Sequence, residues 1–249
     1  MIAFSATRLT PRIAGAVVAV MLCLDGTTIA LCGPIHDATH KGDEAKVIAL
    51  LKANPDLVSS RDKFGNTPLH IAAIHDQPAI AALLLANGAD VNARNNPDGK
   101  EVLAARYYNK TAYGETPLTL ALLSYHHKEM VELLLSHGAD PNMLIHIQDT
   151  PLDRAIERDL PYDVELLLAN GADPDSINLS GVSSVHYAVM HGQTRILELL
   201  LDNGANPNAR DGAGHTPMFY AQNAYRSFYG ETSSNEKALA ILRAHGGHQ

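Results

Sequence analysis

The eight residues LLLANGAD at Leu83–Asp90 decide how the whole chain is read, because nearly the same letters return as LLLSHGAD (Leu133–Asp140), LLLANGAD (Leu166–Asp173) and LLLDNGAN (Leu199–Asn206). Their glycines, Gly88, Gly138, Gly171 and Gly204, stand 50, 33 and 33 residues apart. A second phrase keeps the same beat: TPLHIAA (Thr67–Ala73), TPLTLAL (Thr116–Leu122), TPLDRAI (Thr150–Ile156), the looser SSVHYAV (Ser183–Val189) and TPMFYAQ (Thr216–Gln222). Counting back from Pro68 by 34 reaches GPIHDAT (Gly33–Thr39).

Each phrase has a physical role. The Thr hydroxyl of TPLH accepts from a free amide at a helix start, and Pro at the first helical position gives up an N–H that had no partner. After a turn, a second helix carries apolar residues three and four apart, as in ILELLL (Ile196–Leu201), and so offers an apolar stripe. The Gly of NGAD closes that helix in the left-handed conformation at little steric cost. A unit of helix, turn, helix, stop and connecting finger is too small to cover its own leucines. Each buried Leu stabilises by roughly 1.5–3 kcal/mol only when another surface covers it, so the units must stack.

Six units follow, at about 33–64, 65–98, 114–147, 148–180, 181–213 and 214–249, with an insertion at 97–113. Pro68 and Pro117 lie 49 residues apart, 16 beyond the next period. The last unit is enlarged by about nine residues around AYRSFYGET (Ala224–Thr232). Gln148 replaces a finger glycine and Ser183–Ser184 replaces Thr–Pro, so softer helix starts are expected in the fourth and fifth units.

Two motifs holding register over several periods closely resemble the ankyrin repeat family, whose 33-residue unit opens its first helix with T-P-L-H-x-A. The likeness spans about Gly33 to Gln249. It implies an all-α solenoid of six stacked helix-turn-helix units, with hairpin-like fingers projecting on one side and a concave face between. It also implies that partners are met by variable finger positions, here Lys63, Phe64, Tyr113, His146, Ile147, Leu179 and Val182, and by inner-helix positions, here Ile74, His75, Leu123, Ser124, Glu157, Arg158, Met190 and His191. The insertion, NPDGKEVLAARYYNKTAY (Asn96–Tyr113), interleaves Tyr107, Tyr108 and Tyr113 with Lys100, Arg106 and Lys110. Tyr and Arg bury area while keeping hydrogen bonds, which suits interface anchors; the bland alternative is that Val102 and Leu103 fold the segment back as an inert cover.

Composition narrows the function classes. Hydrophobic residues make up 46% of the 249, enough for a core, while aromatics are 5% and Trp is absent, which favours closely spaced helices over aromatic-rich sandwiches. The net charge is −8. Nothing forms a Lys/Arg stripe, so nucleic-acid binding has no source of phosphate neutralisation.

The leader has its own grammar. Arg8 and Arg12 precede the apolar run IAGAVVAVMLCL (Ile13–Leu24), then Asp25, Gly26 and small residues ending in TIALCG. This is the order of a secretory signal peptide over residues 1–32, with cleavage after Ala30 or Cys32. The expected compartment is periplasmic or secreted. The run falls short of the about 20 apolar residues of a membrane span, so a permanent anchor is the weaker reading and no stable span is expected after cleavage. Lipid attachment at Cys32 is disfavoured by Leu31, larger than the small residue such sites prefer. Both cysteines, Cys23 and Cys32, belong to this leader or its edge, so no internal disulfide is expected.

Catalysis finds no converging set. Gly181-Val182-Ser183-Ser184-Val185 ends in the wrong residue for a nucleophile elbow, and Gly212-Ala213-Gly214-His215-Thr216-Pro217 lacks the third glycine of a dinucleotide loop. No H-E-x-x-H, Walker pattern or cysteine pair for zinc occurs in the sequence. His36, His70 and His186 hold the fourth place of the TPLH phrase, where a buried hydrogen bond is reason enough for them. His75 and His191 share an inner-helix column and His40 stands in the neighbouring one; helices about 8–10 Å apart do not of themselves gather such rings around one ion. The expectation is a monomeric, non-enzymatic module, with no cofactor and no metal, that binds another protein. A dedicated inhibitor or immunity protein of a secreted or periplasmic enzyme is the alternative.

Overall fold

In the computed structural model, residues 33–95, 114–123, 127–144, 149–177, 181–223 and 232–248 are described. Six helix pairs follow one another: α1 (Pro34–His40) and α2 (Glu44–Ala53), α3 (Pro68–Ile74) and α4 (Pro78–Ala86), α5 (Pro117–Ala121) and α6 (Lys128–Ser136), α7 (Pro151–Glu157) and α8 (Pro161–Ala169), α9 (Ser184–Met190) and α10 (Thr194–Asp202), α11 (Pro217–Gln222) and α12 (Thr232–Ala244). A short 3-10 helix, Pro55–Ser59, follows α2. No strand is present among the described residues; extended pairing is limited to one bridge between Ile177 and Ser183. The expectation of an all-α solenoid is met.

Inner helices pack on inner helices and outer on outer, each pair touching the next. The residue after each helix-opening Pro or Ser fills the seam: Ile35, Leu69, Leu118, Leu152, Val185 and Met218 are all buried. On the outer row, Leu84, Leu134, Leu167, Leu200 and Leu242 are buried in the same way. These leucines sit four residues before Gly88, Gly138, Gly171, Gly204 and Gly246, so the stripe and the stop arrive together. Burying one such side chain contributes roughly 1.5–3 kcal/mol, and only the neighbouring unit makes the burial possible.

The helix stops are alike. Gly88, Gly138, Gly171 and Gly204 take φ of 85, 85, 87 and 90°, and the amide of the following Ala bonds the carbonyl of Leu84, Leu134, Leu167 or Leu200 at 3.0 Å. This is the 6→1 closure that a left-handed residue permits. Between inner and outer helices, Gly42 and Gly192 likewise turn at positive φ, whereas Asp76 and Asp159 adopt φ of 50 and 54° at that turn.

The starts are also alike, with one difference from expectation. Thr116, Thr150, Ser183 and Thr216 each accept from the amide three residues on. Ser183 therefore caps α9 as Thr does elsewhere, through its hydroxyl to the His186 amide at 3.4 Å and the His186 ring at 2.8 Å. The start expected to be soft is capped because Ser supplies the same acceptor oxygen.

Candidate partner-binding face

The TPLH histidines join one unit to the next. His36 Nε2 bonds the Asn66 carbonyl at 3.0 Å, His70 Nε2 the Glu115 carbonyl at 3.1 Å, and His186 Nε2 the His215 carbonyl at 3.0 Å. Each carbonyl belongs to the residue just before the next helix cap. On the other side of the His70 ring, Nδ1 accepts from the Thr67 amide at 3.1 Å. A carbonyl only accepts, so the ring is neutral with its proton on Nε2. Burial lowers His70 to a pKa of about 4, and burial also lowers His186. These rings are scaffold, as their position in the phrase suggests.

A second set of ties runs between the fingers and the helix stops. Asn92 donates to the Gly138 carbonyl and accepts from the Asp140 amide, and Asn142 does the same for Gly171 and Asp173. Asn208 clips Gly246 and His248. At Asp175 the carboxylate accepts from the Asn206 amide but has no N–H to offer.

With the stack tied in this way, the ends of the inner helices form one row. Ile74 is 39% exposed and His75 exposed at the end of α3. Leu123 is half-buried after α5; Glu157 is exposed and Arg158 half-buried at the end of α7; Met190 is half-buried and His191 exposed at the end of α9. Tyr187 stacks on His191 with ring centroids 4.1 Å apart. On the fingers, Lys63 is exposed and lies 4.6 Å over the half-buried Phe64 ring, and Val182 is half-buried. Arg106, Tyr107, Tyr108, Tyr113, Ser124, His146, Ile147 and Leu179 lie outside the described residues. The ends of the insertion come together, because the Asn95 amide bonds the Glu115 carbonyl at 2.9 Å.

Two apolar residues not singled out from the sequence stand out on the fingers, Leu144 at 50% exposure and Ile177 at 55%. Each lies in a finger stretch rich in apolar residues, MLIHIQ (Met143–Gln148) and SINLSGV (Ser176–Val182). The letters alone did not separate side chains covered by the next finger from those left open. Between α7 and α9 lies a cavity of about 60 Å³ lined in part by Asp149, Asp153, Glu157, Val182, Ser184 and Tyr187. Arg154 reaches from α7 to Glu115 at 3.1 Å, a pair whose side chains are 15% and 12% exposed. His40 and His75, in neighbouring columns of successive units, meet, with Nδ1 and Nε2 2.8 Å apart. The diagonal offset brings the last residue of α1 against the residue that ends α3. Among the described residues, no group of three or more His, Cys, Asp or Glu side chains is placed to hold a metal ion, and no helix is long and apolar enough to cross a membrane.

Comparison with known proteins agrees with this geometry. The model of the ankyrin repeat matches residues 64–96 and 113–145, and a model of three ankyrin repeats matches 152–228. The chain belongs to the ankyrin repeat family. It is similar to a crystal structure of an ankyrin repeat domain from Acinetobacter baumannii AYE, with TM-score 0.70 and 26% identity over 86% of this chain and 98% of that one. Among curated relatives, it is 39% identical over 99 residues to the serine/threonine-protein kinase VIK of Arabidopsis thaliana, covering 40% of this chain and 19% of the kinase. It is 30% identical over 122 residues to ankyrin repeat domain-containing protein 13C of Mus musculus, covering 45% of this chain and 19% of that one. The chain thus spans about a fifth of the length of these two relatives. Ankyrin repeats generally mediate protein–protein interaction, so a protein partner is the coarse functional statement for this chain.

Proposed function

We propose that this chain is a monomeric, non-catalytic binding module that works in the periplasm or outside the cell and holds one partner protein along the inner-helix ends and the fingers. The observation that carries the reading is the row Ile74, His75, Leu123, Met190 and His191 on tied helix ends, beside the exposed fingertip residues Leu144 and Ile177. Side chains left open on rigid elements bind without a large ordering cost, and exposed apolar residues grouped on one side of a molecule signal a partner surface. The leader at residues 1–32 supports export. The Tyr and Arg residues of the insertion extend the surface in this reading, because large side chains that also hydrogen-bond concentrate binding energy.

The test is affinity capture from the native compartment with the processed chain as bait, followed by binding measurements on the purified partner. Ile74→Asp combined with Ile177→Ser should weaken binding by at least 1–2 kcal/mol, roughly tenfold or more, with melting unchanged. A triple change of Tyr107, Tyr108 and Tyr113 to Ala measures the insertion separately. Unaltered affinity in both variants would remove this face from the site. Accumulation of the chain in the cytoplasm with its leader intact would overturn the assignment to an exported compartment.

A further inference from the structure

The contact between His40 and His75 is not required by the repeat. Neither residue belongs to the TPLH phrase or to the leucine stripe, and both are exposed. Their nitrogens, His40 Nδ1 and His75 Nε2, stand 2.8 Å apart, with ring centroids 4.1 Å apart and planes at 79°. A hydrogen bond between two water-exposed imidazoles contributes little by itself. Two imidazole nitrogens held together on separate rigid helices are, however, half of a transition-metal site. Nitrogens sharing one ion at bond lengths of about 2.0–2.1 Å lie about 2.9–3.4 Å apart, from square to tetrahedral angles, so the nitrogens need to part by only a few tenths of an ångström while the exposed rings turn to aim both lone pairs at the ion.

One further feature suits a cation here. Both rings sit at the C-terminal ends of inner helices, His40 as the last residue of α1 and His75 as the cap of α3, where exposed carbonyls favour positive charge.

We propose that His40 and His75 form a two-imidazole site for a divalent first-row transition ion, tightest for Cu(II), on the edge of the inner-helix row where the first two units meet. Binding forms two dative N–metal bonds and breaks the N–H···N bond. The ring that donated that bond shifts its proton through solvent to its other nitrogen, so two neutral rings hold the ion with no net change in their protonation. Water fills the remaining positions. The ion clamps α1 to α3, adding to the seam already made by His36.

The experiment is calorimetric titration of the full chain with Cu(II) at pH 7, with electron paramagnetic resonance to count nitrogen ligands. One equivalent should bind with hyperfine splitting from two imidazole nitrogens. His40→Gln and His75→Gln should each weaken binding on the order of a hundredfold, the loss expected when two linked ligands become one. Changing the exposed His137 to Gln should leave it intact. Circular dichroism melting of each variant confirms folding, and added Cu(II) should raise the melting temperature of the parent chain but not of His75→Gln. Binding that survives both changes, binding lost equally in His137→Gln, or a spectrum without paired nitrogens would each overturn the site.

Discussion

The seam between the second and third units and the seam between the fourth and fifth are built to one plan with different residues. At the first, His70 crosses to the Glu115 carbonyl and Asn92 both donates to Gly138 and accepts from Asp140. At the second, Asp153 occupies the His place and turns to the Ser176 hydroxyl at 2.6 Å, while Asp175 occupies the Asn place with an acceptor only. Gln193 restores one crossing bond, its Nε2 donating to the Ile156 carbonyl at 2.8 Å. The Ser184 amide also crosses to the Ser176 carbonyl at 3.1 Å and the two hydroxyls stand 2.7 Å apart, so this seam is tied through other residues; it is also the one with the cavity between α7 and α9 and the exposed Ile177. Where the repeated phrase is kept, the same residues tie each seam; where it departs, other residues take up part of the tie. Two carboxylates cannot donate to a carbonyl, so the exchange costs seam bonds directly.

The largest expected effect is on the seam that His70 crosses. His70→Ala removes the bond to Glu115, strips the Thr67 amide of its acceptor and leaves a hole, for a loss of roughly 3–4 kcal/mol in urea unfolding. Asp153→Ala at the corresponding place should cost only about 1–2 kcal/mol, that of a helix cap. Equal losses would erase the distinction between the seams.

Acid probes the same contrast. His70 titrates at about 4 in the folded chain against an ordinary 6.5, chiefly because it is buried. Between those values the unfolded chain takes a proton that the folded chain refuses, so this stability is whole above pH 6.5 and is lost as pH falls toward 4. The expected loss is about 3 kcal/mol, and His186, also lowered by burial, acts in the same direction. His70→Gln should flatten the profile; an unchanged slope would assign acid sensitivity to other groups.

A smaller effect is expected where the His place is held by Thr119, whose hydroxyl bonds the Thr116 carbonyl within its own unit at 2.9 Å. There the Arg154–Glu115 pair crosses instead. Arg154→Met should destabilise by roughly 1–2 kcal/mol, less at high salt. The smallest change runs the other way: Asp175→Asn supplies the missing donor to the Gly204 carbonyl, which Asn92 and Asn142 provide for Gly138 and Gly171. Stability should rise by about 1 kcal/mol, and hydrogen exchange in α9 should slow. No gain would mean that this seam is not limited by its finger clip.

Much of the fold was legible because the two phrases state where helices begin and end. Thr–Pro starts, left-handed glycine stops and the buried leucines four residues earlier are local chemistry, and local chemistry repeats visibly. The candidate site was legible only as columns. Repeat register placed Ile74, Leu123 and Met190 along one row, yet it passed over Ile177, which is more exposed than the Val182 it pointed to on the same finger, and it gave no sign that His40 and His75, in neighbouring columns, would touch. Exposure depends on what the neighbouring finger covers, and a diagonal contact depends on the offset between stacked helices. Neither quantity is a property of a single unit.

By itself, then, the order of amino acids determined that this chain is a row of helix pairs, because caps, stops and apolar spacing act over a few residues. Tertiary structure alone decided which seams are tied twice, which apolar residues stay open and which histidines touch. Those outcomes arise from atoms brought together across about 30 or more residues of chain, where the distances are set by how one unit leans on the next.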